Sequence, residues 1–232
     1  MLFRSVMLHM GTLLAVLLFF KGFLHDYWKE SVAWVKSPSV GLNEIQREII
    51  WIIVLSIPTA LIGFGLKKAG IGELGTDGVL MALAFTGLFC LLTDYIPIRN
   101  GKLNLWRSLA LGITQGLAVV PGISRSGSTI FIGLLSGISR EKMASFSFLM
   151  SIPAVGGAFL LELIEARGME LQAINWISLL MGMIVAFVSG YAALAVLMKV
   201  LRSGYFRIFG FYCFGLSVFG NKLVQWAGSS LR

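Results

Sequence analysis

The sequence predicts an all-α integral membrane protein: about six spanning helices plus a re-entrant helical hairpin over residues 105–138. Three observations carry this. The 232 residues are 57% hydrophobic and only 13% charged, whereas soluble domains sit near half apolar and a quarter charged. Six stretches approach the ~20 apolar residues that a helix needs to cross a bilayer. A seventh, 105–138, places a polar Pro-Gly run between two apolar arms too short to cross.

The first stretch, 5–24, lies in a chain that is apolar from its first residues, with no A-x-A-like cleavage site behind it. Residues 25–48 then form the longest polar connection. Within it "NEIQREII" places Glu44 and Glu48 one helical turn apart. That spacing suits a carboxylate pair, but it better suits the charged, amphipathic lead-in to a helix. Spans follow at 49–66 and 79–96, and after the hairpin at 143–161, 176–198 and 208–226.

Charge bias tests the hairpin. If 105–138 enters and leaves on one side, twelve Lys and Arg residues share that side, Lys21, Arg99, Arg107, Arg140 and Arg207 among them. Six, including Lys67, Lys68, Arg167 and Lys222, lie opposite. If 105–138 spans instead, the split is ten to eight. The positive-inside rule favours the hairpin, with cytoplasmic ends and its tip in the membrane.

The net charge of +8 suits cytoplasmic loops and anionic lipid headgroups. No basic face on a soluble domain points to nucleic acid. Cys90 and Cys213 lie in apolar runs and read as small core residues rather than a disulfide, metal site or nucleophile. His9 and His25 are too few for a metal cluster. The chain reads as one polytopic membrane domain over residues 1–232.

The chemistry concentrates in "VVPGISRSGSTIF", residues 119–131. An arginine at bilayer depth is expensive and normally faces a cavity or a partner. Its guanidinium fork matches phosphate oxygens two at a time. Gly122 and Gly127 let the backbone bend and bring N–H groups near an anion. Ser124, Ser126, Ser128 and Thr129 add hydroxyls. A second arm starting near Ser128 would aim its N-terminal dipole at the tip. The competing reading is a helix break whose serines satisfy freed backbone groups, but a plain break needs no charge. Gln115, ten residues before Arg125, either reaches the same pocket or joins two helices.

"GITQGLAVVPGISRSGSTI" closely resembles the signature of the bacterial undecaprenyl-diphosphate phosphatases, the bacitracin-resistance family. "LHMGTLLAVLLFF", "IIWIIVLSIPTALIGFGL" and "REKMASFSFLMSIPAVGGAFLLEL" resemble further family segments, in order, so the likeness runs from about residue 2 to the C-terminal helix. The resemblance implies hydrolysis of undecaprenyl diphosphate to undecaprenyl phosphate and phosphate at the outer side of the bacterial cytoplasmic membrane. That reaction recycles the lipid carrier for peptidoglycan synthesis, cell-wall biogenesis and cell shape, and confers bacitracin resistance. It implies Mg²⁺ or Ca²⁺ as cofactor, membrane lipids as partners and a second copy of the chain as a candidate partner. Arg125 would grip the phosphate and steady its charge, with Ser124 and Ser126 donating to the same oxygens. Pro121, Gly122 and Gly127 would hold the loop, and Ser128, Thr129 and Gln115 would complete the phosphate site.

The implied fold is an inverted repeat with one hairpin in each half. On that reading residues 1–104 are the remainder of the first repeat and 105–232 the second. The family's first hairpin carries E-G-x-x-E-x-x-P-x-S-S-x-G-H, and these 232 residues contain no such run. "LFRSVMLHMG" resembles the repeat partner of "SFSFLMSIPA", which places Met1 where the first hairpin would just have ended. The first repeat is therefore expected to be truncated, either because the sequence starts at an internal methionine or because this is a short form. His9 falls in the helix after that motif and is expected to be a buried, hydrogen-bonded helix residue. The alternatives to hydrolysis are a polyprenyl-phosphate binding or transport protein and an inactive truncated form.

Overall fold

A computed structural model describes residues 2–36, 41–71, 74–97, 99–165 and 175–230. Among them there are helices and no strands: α1 (Leu2–Phe19), α2 (Lys21–Lys36), α3 (Glu44–Lys68), α4 (Thr76–Thr93), α5 (Leu105–Leu117), α6 (Arg125–Leu135), α7 (Arg140–Leu149), α8 (Ser151–Glu165), α9 (Trp176–Ser203) and α10 (Arg207–Ser230). Four helical stretches are long and apolar enough to cross a membrane: Glu44–Lys68, Thr76–Thr93, Arg140–Leu161 and Trp176–Ser203. A fifth forms if Met7–Phe19 and Lys21–Lys36, bent by 75°, count as one. The protein is a multi-pass membrane protein. α10 covers the remaining expected span, 208–226, as a helix.

Two expectations change at the N-terminal end. The span expected over 5–24 breaks at Phe20, and the connection expected from residue 25 is largely helix, as α2. The reason lies in the side chains. Lys21, Asp26, Lys29, Glu30 and Lys36 recur through α2, too often for a helix to continue through hydrocarbon. α2 stays helical because nothing before residue 36 breaks it.

The chain divides into two compact units. The first comprises residues 1–50 and 148–199. Here a Cβ on Gly11 would sit 2.4 Å from the Met183 carbonyl oxygen, and one on Gly190 would sit 3.5 Å from the Ala15 Cβ. The Phe19 and Tyr191 rings meet edge-on at 5.4 Å. The rising register shows that α1 and α9 run parallel. Small residues set this contact, as they do wherever helices meet without a hydrophobic driving force. His9 lies about 200° round the helix from Gly11 at 100° per residue, and it is exposed, not buried as expected.

α3 opens with a reciprocal box in this unit. The Gln46 N–H donates to Asn43 Oδ1 at 2.9 Å, and the Asn43 N–H donates to Gln46 Oε1 at 3.1 Å. The Tyr27 hydroxyl donates to Glu48 and the Asn43 amide to Glu30, tying α2 to the start of α3. Glu44 and Glu48 thus begin α3 as a lead-in, and Glu48 serves as an acceptor for α2.

The second unit comprises residues 51–147 and 200–232 and contains the whole hairpin. α5 packs on α3 through Gly112 and Gly116. A Cβ at Gly112 would lie 2.3 Å from the Leu55 carbonyl oxygen, and one at Gly116 would lie 2.8 Å from the Ile62 Cβ. The Thr59 hydroxyl donates to the Gly112 carbonyl at 2.9 Å. α4 meets α10 at Gly87 and Gly210, with Gly220 against Leu80. These registers make α3 and α5 parallel and α4 and α10 antiparallel, the directions that the one-sided hairpin requires.

The α4 and α10 ends are locked by one carboxylate. Asp94 accepts from Arg140 Nη1 at 3.3 Å and from the Phe206 and Arg207 N–H groups at 3.2 and 2.9 Å. Arg140 Nη2 also donates to the Thr93 and Asp94 carbonyls at 3.2 and 3.1 Å. A negative group at the start of α10 also complements its dipole.

Candidate active site

Residues 105–138 do form a hairpin. The Gly101 N–H donates to the Gly137 carbonyl at 2.8 Å, so the two ends return to one level. The arms, α5 and α6, have 13 and 11 residues. At 1.5 Å per residue they reach about 20 and 17 Å, short of the ~30 Å hydrocarbon core.

The arms are capped by their own sequence. Asn104 Oδ1 accepts the Arg107 N–H at 3.0 Å to start α5. Ser124 Oγ accepts the Gly127 N–H at 3.1 Å to start α6. α6 therefore begins at Arg125, three residues before the expected Ser128. The reason is that Ser124, not a later serine, supplies the cap. Arg125 thereby occupies the first position of α6 and Ser126 the second. Their N–H groups are among those an α-helix leaves without an internal partner.

The tip rests on α4. Gly122 has φ +93, which favours glycine, and a Cβ there would lie 2.4 Å from the Val79 carbonyl oxygen. The Thr86 hydroxyl donates to the Gly122 carbonyl at 2.8 Å and accepts the Ser124 N–H at 2.9 Å. A Cβ at Gly127 would lie 3.3 Å from Cys90 Sγ, and the Phe89 and Phe131 rings stack at 4.9 Å. Thr86 falls near the middle of α4, so Arg125 starts its helix at about mid-span depth.

The predicted site residues divide. Arg125 is half-buried, and among the described residues its guanidinium has neither a hydrogen-bond nor an ion-pair partner. The Ser126 hydroxyl is likewise unengaged, although its carbonyl accepts from Thr129. Ser128, one helical turn beyond Arg125 on the same face, is 1% exposed, and its Oγ has no partner among the described residues. A buried hydroxyl with nothing to bond normally marks a missing water, ion or ligand. Arg125 and Ser126 thus leave side-chain donors without partners beside the first two N–H groups of α6, while Ser128, about 200° round the helix from Ser126, holds its hydroxyl in the interior.

Ser124, Gly127 and Thr129 are committed to the scaffold. Ser124 Oγ is the cap, though its proton remains available. The Gly127 N–H is taken by that cap. The Thr129 hydroxyl donates to the Arg125 carbonyl at 2.8 Å and lies 2.7 Å from Ser147 Oγ. Gln115 is buried on α5 beside Gly116. Cys90 and Cys213 are free and buried, as expected. Three residues that matter here, Thr86, Gly112 and Gly116, are not among those the sequence singled out. Thr86 gives no signal in the apolar run "ALAFTGLFC", whereas the Gly112-x-x-x-Gly116 spacing is a close-packing signal that could have found the other two.

The family described as bacitracin resistance protein BacA matches residues 1–219. The chain belongs to the bacitracin resistance protein family. Among its relatives, a protein named undecaprenyl-diphosphatase from Halothermothrix orenii is 35% identical over 97% of this chain and 83% of its own length. Proteins of the same name from Desulfosudis oleivorans and Methanosphaera stadtmanae are 36% and 34% identical. Those matches cover 92% and 90% of this chain, and 81% and 79% of the relatives. The resemblance to this bacitracin resistance family therefore extends well beyond the hairpin motif.

A divalent cation needs oxygen ligands, usually carboxylates, with substrate phosphates completing the set. Among the described residues no group of three or more His, Cys, Asp or Glu side chains comes together to hold one. The residues described do not by themselves fit a protein-held cation.

Proposed function

We propose that this chain is an undecaprenyl-diphosphatase that binds its substrate's diphosphate at the tip of the α5–α6 hairpin. It hydrolyses undecaprenyl diphosphate to undecaprenyl phosphate and inorganic phosphate. The P–O bond from the terminal phosphorus to the bridging oxygen breaks: a water oxygen bonds to that phosphorus, the bridging oxygen leaves with undecaprenyl phosphate, and the water's protons pass to the two phosphate products. The product is the lipid carrier of cell-wall synthesis, and removing the diphosphate withdraws the target of bacitracin. Membership of the bacitracin resistance family and relatives named for this activity support the reaction.

One observation carries the choice of site: an arginine without a partner at the N-terminus of a helix that starts near mid-span. Phosphoryl transfer is catalysed mainly by positioning and by neutralising charge on the transferred group. The Arg125 fork would take two phosphate oxygens, and the Arg125 and Ser126 N–H groups and the helix dipole would add to it. The Ser126 and Ser128 hydroxyls have protons to donate, and Ser124 can donate while its oxygen remains a cap. Gly122 and Gly127 contribute by letting the tip lie close on α4, and Thr129 by holding α6. Gln115, buried on α5, is proposed as a further residue of the phosphate site. The lipid tail remains in hydrocarbon while the headgroup meets the tip.

This reading proposes the bacterial cytoplasmic membrane as the location, with the site open to its outer face. It proposes membrane lipids and a second copy of the chain as further partners. Mg²⁺ or Ca²⁺ is proposed as a cofactor that would neutralise diphosphate charge, with the substrate's own oxygens among its ligands.

The test is phosphate release from undecaprenyl diphosphate by the purified chain in detergent. Arg125→Ala is expected to lower kcat/KM by about 10²–10³-fold, the loss typical of one oxyanion donor. Arg125→Lys should recover little, because a point charge lacks the fork. Full activity in Arg125→Ala refutes the phosphate site. Binding of the lipid without release by the starting protein would instead support a binding or transport protein.

A further inference from the structure

The α4 face beneath the hairpin tip is apolar except at one position. Val79, Ala82, Thr86 and Cys90 follow one another at helical spacing, and residues 122–127 lie along them. Val79 and Ala82 receive Gly122, and Cys90 receives Gly127. Thr86, 2% exposed, makes two hydrogen bonds to the tip. A hydroxyl carries one proton and two acceptor lone pairs. Here the proton goes to the Gly122 carbonyl at 2.8 Å, and a lone pair takes the Ser124 N–H at 2.9 Å.

These two groups flank Ile123 and define the last corner before α6. Ser124 is both the partner of Thr86 and the cap of α6, whose next residue is Arg125. Fixing the Ser124 N–H fixes the cap, and the cap fixes where α6 begins. The tip also contains a turn bond from the Ile123 N–H to the Val120 carbonyl at 3.1 Å, but that bond does not tie the tip to α4. A strained corner held only by apolar contact could slide along the helix. A corner held by a two-way hydroxyl cannot do so without losing both bonds.

We infer that Thr86 is a positioning residue for the phosphate-binding hairpin: its hydroxyl joins Gly122 and Ser124 and so holds Arg125 at the point where it meets the diphosphate. This inference rests on the assignment of Arg125 to the phosphate. Thr86 touches no substrate. It acts through the cap, so its effect should appear in turnover and should depend on Arg125.

The experiment compares Thr86→Val, Thr86→Ser, Arg125→Ala and the double variant Thr86→Val/Arg125→Ala. Phosphate release gives kcat and KM for undecaprenyl diphosphate, direct titration gives Kd for the same lipid, and thermal unfolding in detergent is followed in parallel. Val removes the hydroxyl and keeps the shape. A displacement of about 1 Å at a reacting group costs up to about 10²-fold, so kcat per folded molecule in Thr86→Val is expected to fall at least about 10-fold. Thr86→Ser keeps the hydroxyl and should stay within about 3-fold of the starting protein. In the Arg125→Ala background, Thr86→Val should add almost nothing, because the group it positions is gone. If the purified chain binds without turnover, Kd replaces kcat in each comparison.

Should Thr86→Val not fold, Thr86→Cys, with its weak thiol donor and acceptor, gives the graded variant, with an intermediate loss expected. The inference fails if Thr86→Val keeps its turnover while Arg125→Ala loses it. It also fails if Thr86→Val costs the same with and without Arg125, which would mark Thr86 as a general packing residue. If Arg125→Ala itself behaves like the starting protein, the phosphate reading fails first and this inference goes with it.

Discussion

Replacing Asp94 by alanine removes the single acceptor at which three segments of the second unit meet. The carboxylate receives Arg140 Nη1 and two backbone N–H groups. The two side chains are 12% and 9% exposed, so neither is freely solvated. Surface ion pairs contribute about 0–1 kcal/mol, but taking one partner from a buried pair costs about 3–5 kcal/mol because the other charge is left behind. Arg140 would keep its bonds to the Thr93 and Asp94 carbonyls, which argues for the lower half of that range. For a chain of this size about 1 kcal/mol corresponds to about 2–4 °C in Tm, so Asp94→Ala should lower Tm by about 6–16 °C. Asp94→Asn keeps one acceptor oxygen and should fall by less. The double variant Asp94→Ala/Arg140→Leu should recover part of the loss, since an apolar pair often replaces a buried ion pair at little cost. The assay is thermal unfolding of purified protein in one detergent at fixed protein concentration. A fall of less than about 2 °C in Asp94→Ala would refute the argument, as would a double variant no better than the single.

Two further perturbations test the packing within each unit. Gly112→Leu should drive α5 off α3, because even a Cβ there would meet the Leu55 carbonyl at 2.3 Å; overpacking of this kind costs about 1–3 kcal/mol or more, read as a lower Tm, and an unchanged Tm would contradict the close approach. Tyr27→Phe removes the hydroxyl that Glu48 accepts and should cost about 1.5–3 kcal/mol, the range for a hydrogen bond to a charged group; a loss of stability with phosphate release intact is expected, and a loss of release with stability intact would reassign Glu48 to the chemistry.

The sequence made the spans legible because hydrocarbon imposes a length and a composition that few other environments do. It made Arg125 legible for the same reason, as a charge where charge is costly. The hairpin could be read from two arms too short to cross and from the distribution of lysine and arginine, and the Gly101–Gly137 bond agrees with both. Features decided between segments were less visible. The bend at Phe20 and the helix at 21–36 were hidden because charged residues in α2 read equally as a loop until Tyr27 and Glu30 find partners on α3 and the residue preceding it. His9 looked like core because its neighbours are apolar, but only the small residues Gly11 and Ala15 show which side of α1 is covered.

The site itself divides along the same line. Arg125 and Ser126 stand out by type, and their side chains have no hydrogen-bond partner among the described residues. Thr129 also stands out by type, yet Ser147 and the Arg125 carbonyl absorb its hydroxyl. Thr86 is the converse: an unremarkable threonine in an apolar helix that becomes the support of the tip only when residues 122–124 are folded against it. A hydroxyl's role is set by which backbone groups lack partners nearby, and a chain pattern does not contain that information when the partners lie 36 and 38 positions away. The residues proposed to bind can therefore be sought by their chemistry, while the residues that hold the tip must be found by accounting for each of its backbone N–H and carbonyl groups.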